Sequence, residues 1–231
     1  MKSGLRYIII GSLLSLFTQN LYNTVSPENA VRHNKENLPE YKELFTNEFI
    51  NPEIIAHAIN GFNKIKKEHK INDSILTIID YSKPSTEERI FVVDIKNNNI
   101  LSSALVAHGK STGVLFAENF SNNPKSHQSC LGFFITVETY FGKHGYSLRM
   151  QGIEKGINDN AYKRSIVIHG ANYVSSNYID KYGRIGRSFG CPALPQEKNK
   201  QIIDLIKNQT CIFIYGNHKE YLSSSRYSYL N

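Results

Sequence analysis

A mainly β fold, an antiparallel sheet or sandwich, is what this sequence predicts, and three observations predict it. Between Ile75 and Tyr215 the apolar residues fall in short runs rich in Ile, Val and Phe rather than at helical spacing. No regular amphipathic crossover helices separate these runs, which argues against a doubly wound α/β fold. With 231 residues, 40% of them apolar and 11% aromatic, the chain can bury a sizeable core.

The elements follow in order. Lys2 and Arg6 precede the apolar run from Tyr7 to Phe17, a pattern that reads as a secretory signal or amino-terminal anchor over 1–25; the run is short for a membrane span. A helical lead segment occupies 26–72. Tyr41, Leu44, Phe45, Phe49 and Ile50 recur at three and four, and Asn51-Pro52-Glu53 then offers a cap, a first-turn proline and an early acid for a second helix whose stripe is Ile54, Ile55, Ala58, Ile59, Phe62 and Ile65. At Ile75 the period changes. Strands are expected over 75–81, then over 89–95 and 100–107 as a hairpin, and over 132–138, 164–168 and 210–215, with a C-terminal helix at 196–207 between the last two. The tail, 218–231, is rich in Ser and Tyr without a pattern and is expected to be loosely held.

The stretch from Ile166 to Leu194 concentrates the chemistry. A β-branched run ends on His169-Gly170, and Ser188-Phe189-Gly190-Cys191-Pro192 frames a cysteine with conformationally special residues. Thiolate is the attacking form of cysteine, so a nucleophilic cysteine needs a base or a cation beside it, and histidine is the usual one. Glycine at 190 lets backbone approach a substrate carbonyl, so that the amides of Gly190 and Cys191 could form an oxyanion hole. Proline at 192 stiffens the turn. Three His-Gly pairs, at 108–109, 144–145 and 169–170, compete for the role of base, and spacing alone does not choose among them.

Other chemistries find little support. Gly183-x-x-Gly186 continues into Arg187-Ser188 without the Lys of a phosphate loop. The histidines show no HExxH or comparable spacing, so no metal and no cofactor is expected. Net charge is +7, of which Lys2 and Arg6 belong to the leader; such a surplus suits an anionic wall or membrane surface but forms no nucleic-acid module. There are three cysteines. If Cys191 is a nucleophile, Cys130 and Cys211 remain, and the sequence leaves open whether they pair.

Residues 73–217 resemble the murein L,D-transpeptidase catalytic domain family, the divergent branch of the YkuD-like cysteine transpeptidases. The matching pieces are LTIIDYSKPSTEERIFVVDI, VAHGKSTG, SHQSCLGFF, TYFGKHGYSLRMQG, RSIVIHGANYV and GRIGRSFGCPAL. The resemblance implies a sheet-built fold in which His169 activates Cys191 in a groove, with Ser188 and Gly190 supporting the nucleophile loop and the carbonyl of Gly170 orienting the histidine. It implies acyl transfer on peptidoglycan stem peptides: Cys191 attacks the third residue of a donor stem, terminal D-alanine leaves, and the amine of an acceptor stem resolves the thioester into a 3-3 crosslink. Tyr173, Arg164 and Arg187 are candidates for contact with the anionic stem, and His108 and His144 for lining the cleft.

The sequence departs from the commoner YkuD pattern twice. Phe189 stands where a histidine is usual, and no arginine follows the cysteine by two, so a cationic clamp on substrate has to come from elsewhere. Two alternatives remain: an L,D-carboxypeptidase using water as acceptor, and a wall-binding protein without turnover. In every case the expected location is exported, in the periplasm or envelope, with membrane contact only through an uncleaved leader.

Overall fold

A computed structural model describes residues 49–228. The expected leader, the first lead helix and the last three tail residues lie outside the described residues. Helix α1 spans Pro52–Glu68. Its start is dictated locally: the Asn51 side chain accepts from the Glu53 amide, Pro52 takes the first helical turn, and Glu53 sits at the positive end of the helix dipole. Its apolar stripe, Ile54, Ile55, Ile59, Phe62 and Ile65, is buried in the core.

Eight strands form one sheet in the order β3-β2-β1-β8-β4-β5-β6-β7. They are β1 (Ile75–Asp80), β2 (Ile90–Asp94), β3 (Asn99–Ala104), β4 (Gly132–Gly142), β5 (Gly145–Gly152), β6 (Val167–Gly170), β7 (Ala193–Leu194) and β8 (Cys211–Tyr215). Helix α2 is Ser176–Tyr182, α3 is Gln196–Ile206 and α4 is Lys219–Ser224. Most pairings are antiparallel, as expected, but β1 with β8 and β6 with β7 are parallel. The long hairpin β4–β5 turns at Lys143-His144 and was not legible as such in the sequence, and β6 begins later than the expected strand at 164.

Both faces of the sheet centre are covered, which is why β8 is buried along its whole length and reads as an unbroken apolar run. On one face α1 packs at Gly61, where an added Cβ would lie 2.0 Å from the Phe133 ring, so glycine is required in mid-helix despite its propensity cost of about 1 kcal/mol. Phe133 in turn stacks on Phe213 at 4.4 Å. On the other face Thr136, of opposite parity on β4, donates its hydroxyl to the Ile206 carbonyl at the end of α3.

The tail differs from expectation. Residues 218–228 are strapped onto the body: Tyr221 and Tyr227 are buried, His57 Nδ1 donates to the Ser228 carbonyl at 2.6 Å, and Tyr227 donates its hydroxyl to Glu68 at 2.8 Å. Tyrosines and serines that look featureless in sequence here satisfy buried polar groups such as Glu154, which accepts from Tyr221 and Ser225.

Candidate active site

The parallel pairing of β6 and β7 places His169 beside Ala193 and Gly170 beside Leu194. Extending that register two residues back sets Cys191 beside Val167, and the Val167 amide accordingly points at Cys191 Sγ, 3.5 Å away. Val167 and His169 share a face of β6, so Cys191 and His169 stand over neighbouring positions of one strand. The Cys191 thiol donates to the Ser165 carbonyl at 3.6 Å. Burial pushes the thiol up from its ordinary value, against the smaller opposing effects of the Val167 amide, Arg164 and Lys143, so the resting group is a neutral thiol.

His169 is buried, and its Nδ1 lies 2.9 Å from the Gly170 carbonyl. A carbonyl only accepts, so Nδ1 carries the proton and Nε2 is left as the basic nitrogen. Among the described residues no hydrogen bond engages Nε2. Burial lowers the His169 pKa, the Gly170 bond raises it, and His144 and Lys143 lower it further. The His144 ring, carried on the β4–β5 turn, stacks on His169 with centroids 4.3 Å apart.

The cysteine loop is tied down residue by residue. Ser188 donates its hydroxyl to the Cys191 carbonyl at 2.6 Å and accepts from the Gly190 amide at 3.0 Å, closing the turn on itself. The Ser188 amide donates to the His108 carbonyl and its carbonyl accepts from the Lys110 amide. Ser129 donates to the Gly190 carbonyl and accepts from the Gly109 amide. Gly190 has φ +121°, and a Cβ there would meet the Gln128 carbonyl at 2.7 Å, so only glycine fits the approach. The Gly190 amide is thus spent within the loop in this structure, while the Cys191 amide is the freer of the two expected oxyanion donors. No loop or side-chain hydrogen bond among the described residues engages the Cys191 amide.

The other candidates separate. His108 does not line a cleft: it is 1% exposed, Arg89 donates to its Nδ1 at 2.8 Å, and its Nε2 donates to the Gly113 carbonyl at 3.2 Å. Burial, with Arg89 next, lowers its pKa to about 3. Arg164 donates to the carbonyls of Ser121 and Gln128, to Ser126 and to Cys130, and Arg187 to the carbonyls of Lys110 and Gly113; both guanidinium groups hold loops together. Tyr173 packs on Gly186, and its phenol is pushed up to about 12 by burial, with the Cys191 sulfur contributing. Cys130, Cys191 and Cys211 are free thiols, and the β4–β8 register, with Gly132 opposite Ile214 and Ile135 opposite Cys211, puts Cys130 and Cys211 at opposite ends of that pairing.

Sequence reasoning missed Arg89 and Ser129. Arg89 is fully buried and forms no salt bridge among the described residues; it donates to the Val106 and Lys83 carbonyls as well as to His108. Nothing local marks an arginine at a strand start as a core residue. Ser129 lies inside a quoted segment of resemblance, which was the available signal. Among the described residues there is no group of three metal-ligating side chains, and no helix long and apolar enough to cross a membrane.

Comparison with known proteins supplies the family. Residues 46–215 match the sequence profile of YkuD_2, the L,D-transpeptidase catalytic domain. Similar solved structures include an L,D-transpeptidase from Mycobacterium smegmatis (12% identity, 62% of this chain and 59% of that one, TM-score 0.38). Others are the helical cell shape determining protein Pgp2 from Campylobacter jejuni (11%, 68% and 54%, 0.44) and an L,D-transpeptidase from Stackebrandtia nassauensis (13%, 77% and 77%, 0.37). The chain thus spans under two thirds of the first two relatives. No curated protein sequence is significantly similar. At such identities and scores the assignment rests on the profile, which covers well over half of the 231 residues, and by it the chain belongs to the L,D-transpeptidase catalytic domain family.

Proposed function

We propose that the chain is an exported peptidoglycan L,D-transpeptidase with Cys191 as nucleophile and His169 as general base, forming 3-3 crosslinks between stem peptides. The observation that carries this reading is the register that sets a thiol on a pinned loop over the same face of β6 as a histidine whose Nε2 has no hydrogen bond among the described residues. Neutral thiol and neutral imidazole form the resting pair, so attack and proton transfer run together. As Sγ bonds to the donor carbonyl carbon, the thiol proton passes to His169 Nε2 and the carbonyl pair moves onto oxygen, facing the Cys191 amide. Collapse breaks the peptide bond, and the leaving D-alanine nitrogen takes that proton from Nε2. An acceptor amine then gives its proton to His169, attacks the thioester carbon and expels sulfur, which is reprotonated.

The test is mass spectrometry of wild-type chain and Cys191→Ala with a disaccharide tetrapeptide. Expected are a thioester on Cys191 and crosslinked dimers lacking one D-alanine in wild type only. Tripeptide without dimer would instead make it an L,D-carboxypeptidase. Unchanged substrate without thioester would leave a wall-binding protein.

A further inference from the structure

Against the cysteine loop lies a cleft of about 380 Å³ whose lining includes Lys125, His127, Lys163, Arg164, Ile166 and Phe189, and no carboxylate. Two of its lining residues, Ile166 and Phe189, are close neighbours of the groups around Cys191. Ile166 stands between Ser165, whose carbonyl takes the Cys191 thiol, and Val167, whose amide faces Sγ. Phe189 is 64% exposed, yet its ring is held between His127, 4.6 Å away, and Lys110 Nζ, 4.4 Å above it, so it forms a fixed wall.

The cleft floor is held in an unfavourable backbone. Lys125, His127 and Ser165 all have left-handed φ, at 62°, 55° and 56°, a conformation that non-glycine residues keep only when their surroundings enforce it. Here Arg164 enforces it, by donating to Ser126 and to the Gln128 carbonyl. Its charge stays in the cleft, but its donors are spent. Arg187 and Arg184 are likewise engaged with backbone carbonyls. Lys125 and Lys163 are exposed, whereas the lysines that form salt bridges among the described residues, Lys83, Lys96, Lys200 and Lys207, lie elsewhere.

We propose that this cleft is the subsite for a carboxylate of the peptide that Cys191 attacks, with Lys125 and Lys163 as its cations. The proposal rests on the acyl-transfer reading of Cys191. Two carboxylates of a stem could serve, the terminal one that departs with D-alanine and an internal one that stays with the acyl group.

The deciding experiment compares wild type with Lys125→Gln/Lys163→Gln, using Lys67→Gln/Lys70→Gln as a control of equal net charge. With a tetrapeptide stem at low ionic strength the cleft variant is expected to raise KM about tenfold, the effect shrinking as salt screens it. Replacing the contacted carboxylate by a carboxamide removes the difference between variant and wild type, and the carboxamide position that does so identifies the source. Equal KM for the cleft variant and wild type overturns the subsite. Calorimetric binding of the same peptides to Cys191→Ala backgrounds reads the cleft without turnover, so absence of a thioester in wild type would sink the catalytic reading while the affinity difference still decides this one.

Discussion

Two segments reach the cysteine loop, one past the end of β3 and one at the end of β6, and each carries a histidine followed by glycine. At His108-Gly109 the imidazole is closed at both nitrogens, by Arg89 and by the Gly113 carbonyl, and only the backbone reaches the loop. At His169-Gly170 one nitrogen is fixed by a carbonyl and the other has no hydrogen bond among the described residues. Both rings are buried and both pKa values are lowered by that burial. Burial and a perturbed pKa therefore do not distinguish a base from a scaffold; the count of committed nitrogens does.

The contrast breaks most sharply on alanine substitution. His169→Ala is expected to slow thioester formation on Cys191 by roughly 10²–10⁴-fold or more while leaving the denaturation midpoint close to wild type. His108→Ala should do the opposite, losing about 2–3 kcal/mol because a buried guanidinium donor is left unpaired. Acylation rates and urea titrations of both variants check this, and matching phenotypes would end the distinction.

Acid sharpens it next. His108 takes up its proton near pH 3 in the folded state and near 6.5 when unfolded. Between those values the unfolded chain holds a proton that the folded one refuses, so stability is full above pH 6.5, falls as pH drops through the window and levels off below it. The loss attributable to His108 across the whole window is about 5 kcal/mol. His57, also lowered by burial, adds in the same direction. In His108→Gln the amide can accept from Arg89 and donate to Gly113, and the decline measured by urea titration from pH 7 to 4 should become shallower.

The smallest effect belongs to His144. Its ring shields His169 and, with Lys143, adds to the lowering of the His169 pKa. In the proposed mechanism neutral His169 is the base, so the acid limb of acylation is expected below the ordinary histidine range. His144→Ala should move that limb to higher pH with little change in the plateau rate, as read from pH profiles of thioester formation.

Much of the sheet was legible because β1, β2, β4 and β8 consist of β-branched or aromatic runs that need a pleated, two-sided burial. Strand β5, GYSLRMQG, escaped because its buried Leu148 and Met150 alternate with Arg149 and Gln151 and carry no β-branched signal; pairing with β4 and β6 makes it a strand. Two-residue β7 has no local signal at all. At the candidate site, the motif around Cys191 drew attention and family resemblance chose among the histidines. The scaffold roles of Arg164, Arg187 and His108 were not readable, since a charged side chain that binds backbone carbonyls far along the chain looks the same in sequence as one that faces solvent.

The bonds that pin the cysteine loop also set a timetable. Ser129 and Gly190 are 61 positions apart, Arg187 and Lys110 are 77, while Val167 and Cys191 are 24. Contacts of such separation close late in folding, after local hairpins have formed. A refolding chain should therefore pair β4 with β5 first, and the buried Cys130 thiol, held by Arg164, should become inaccessible to an alkylating pulse only as the last long loops close.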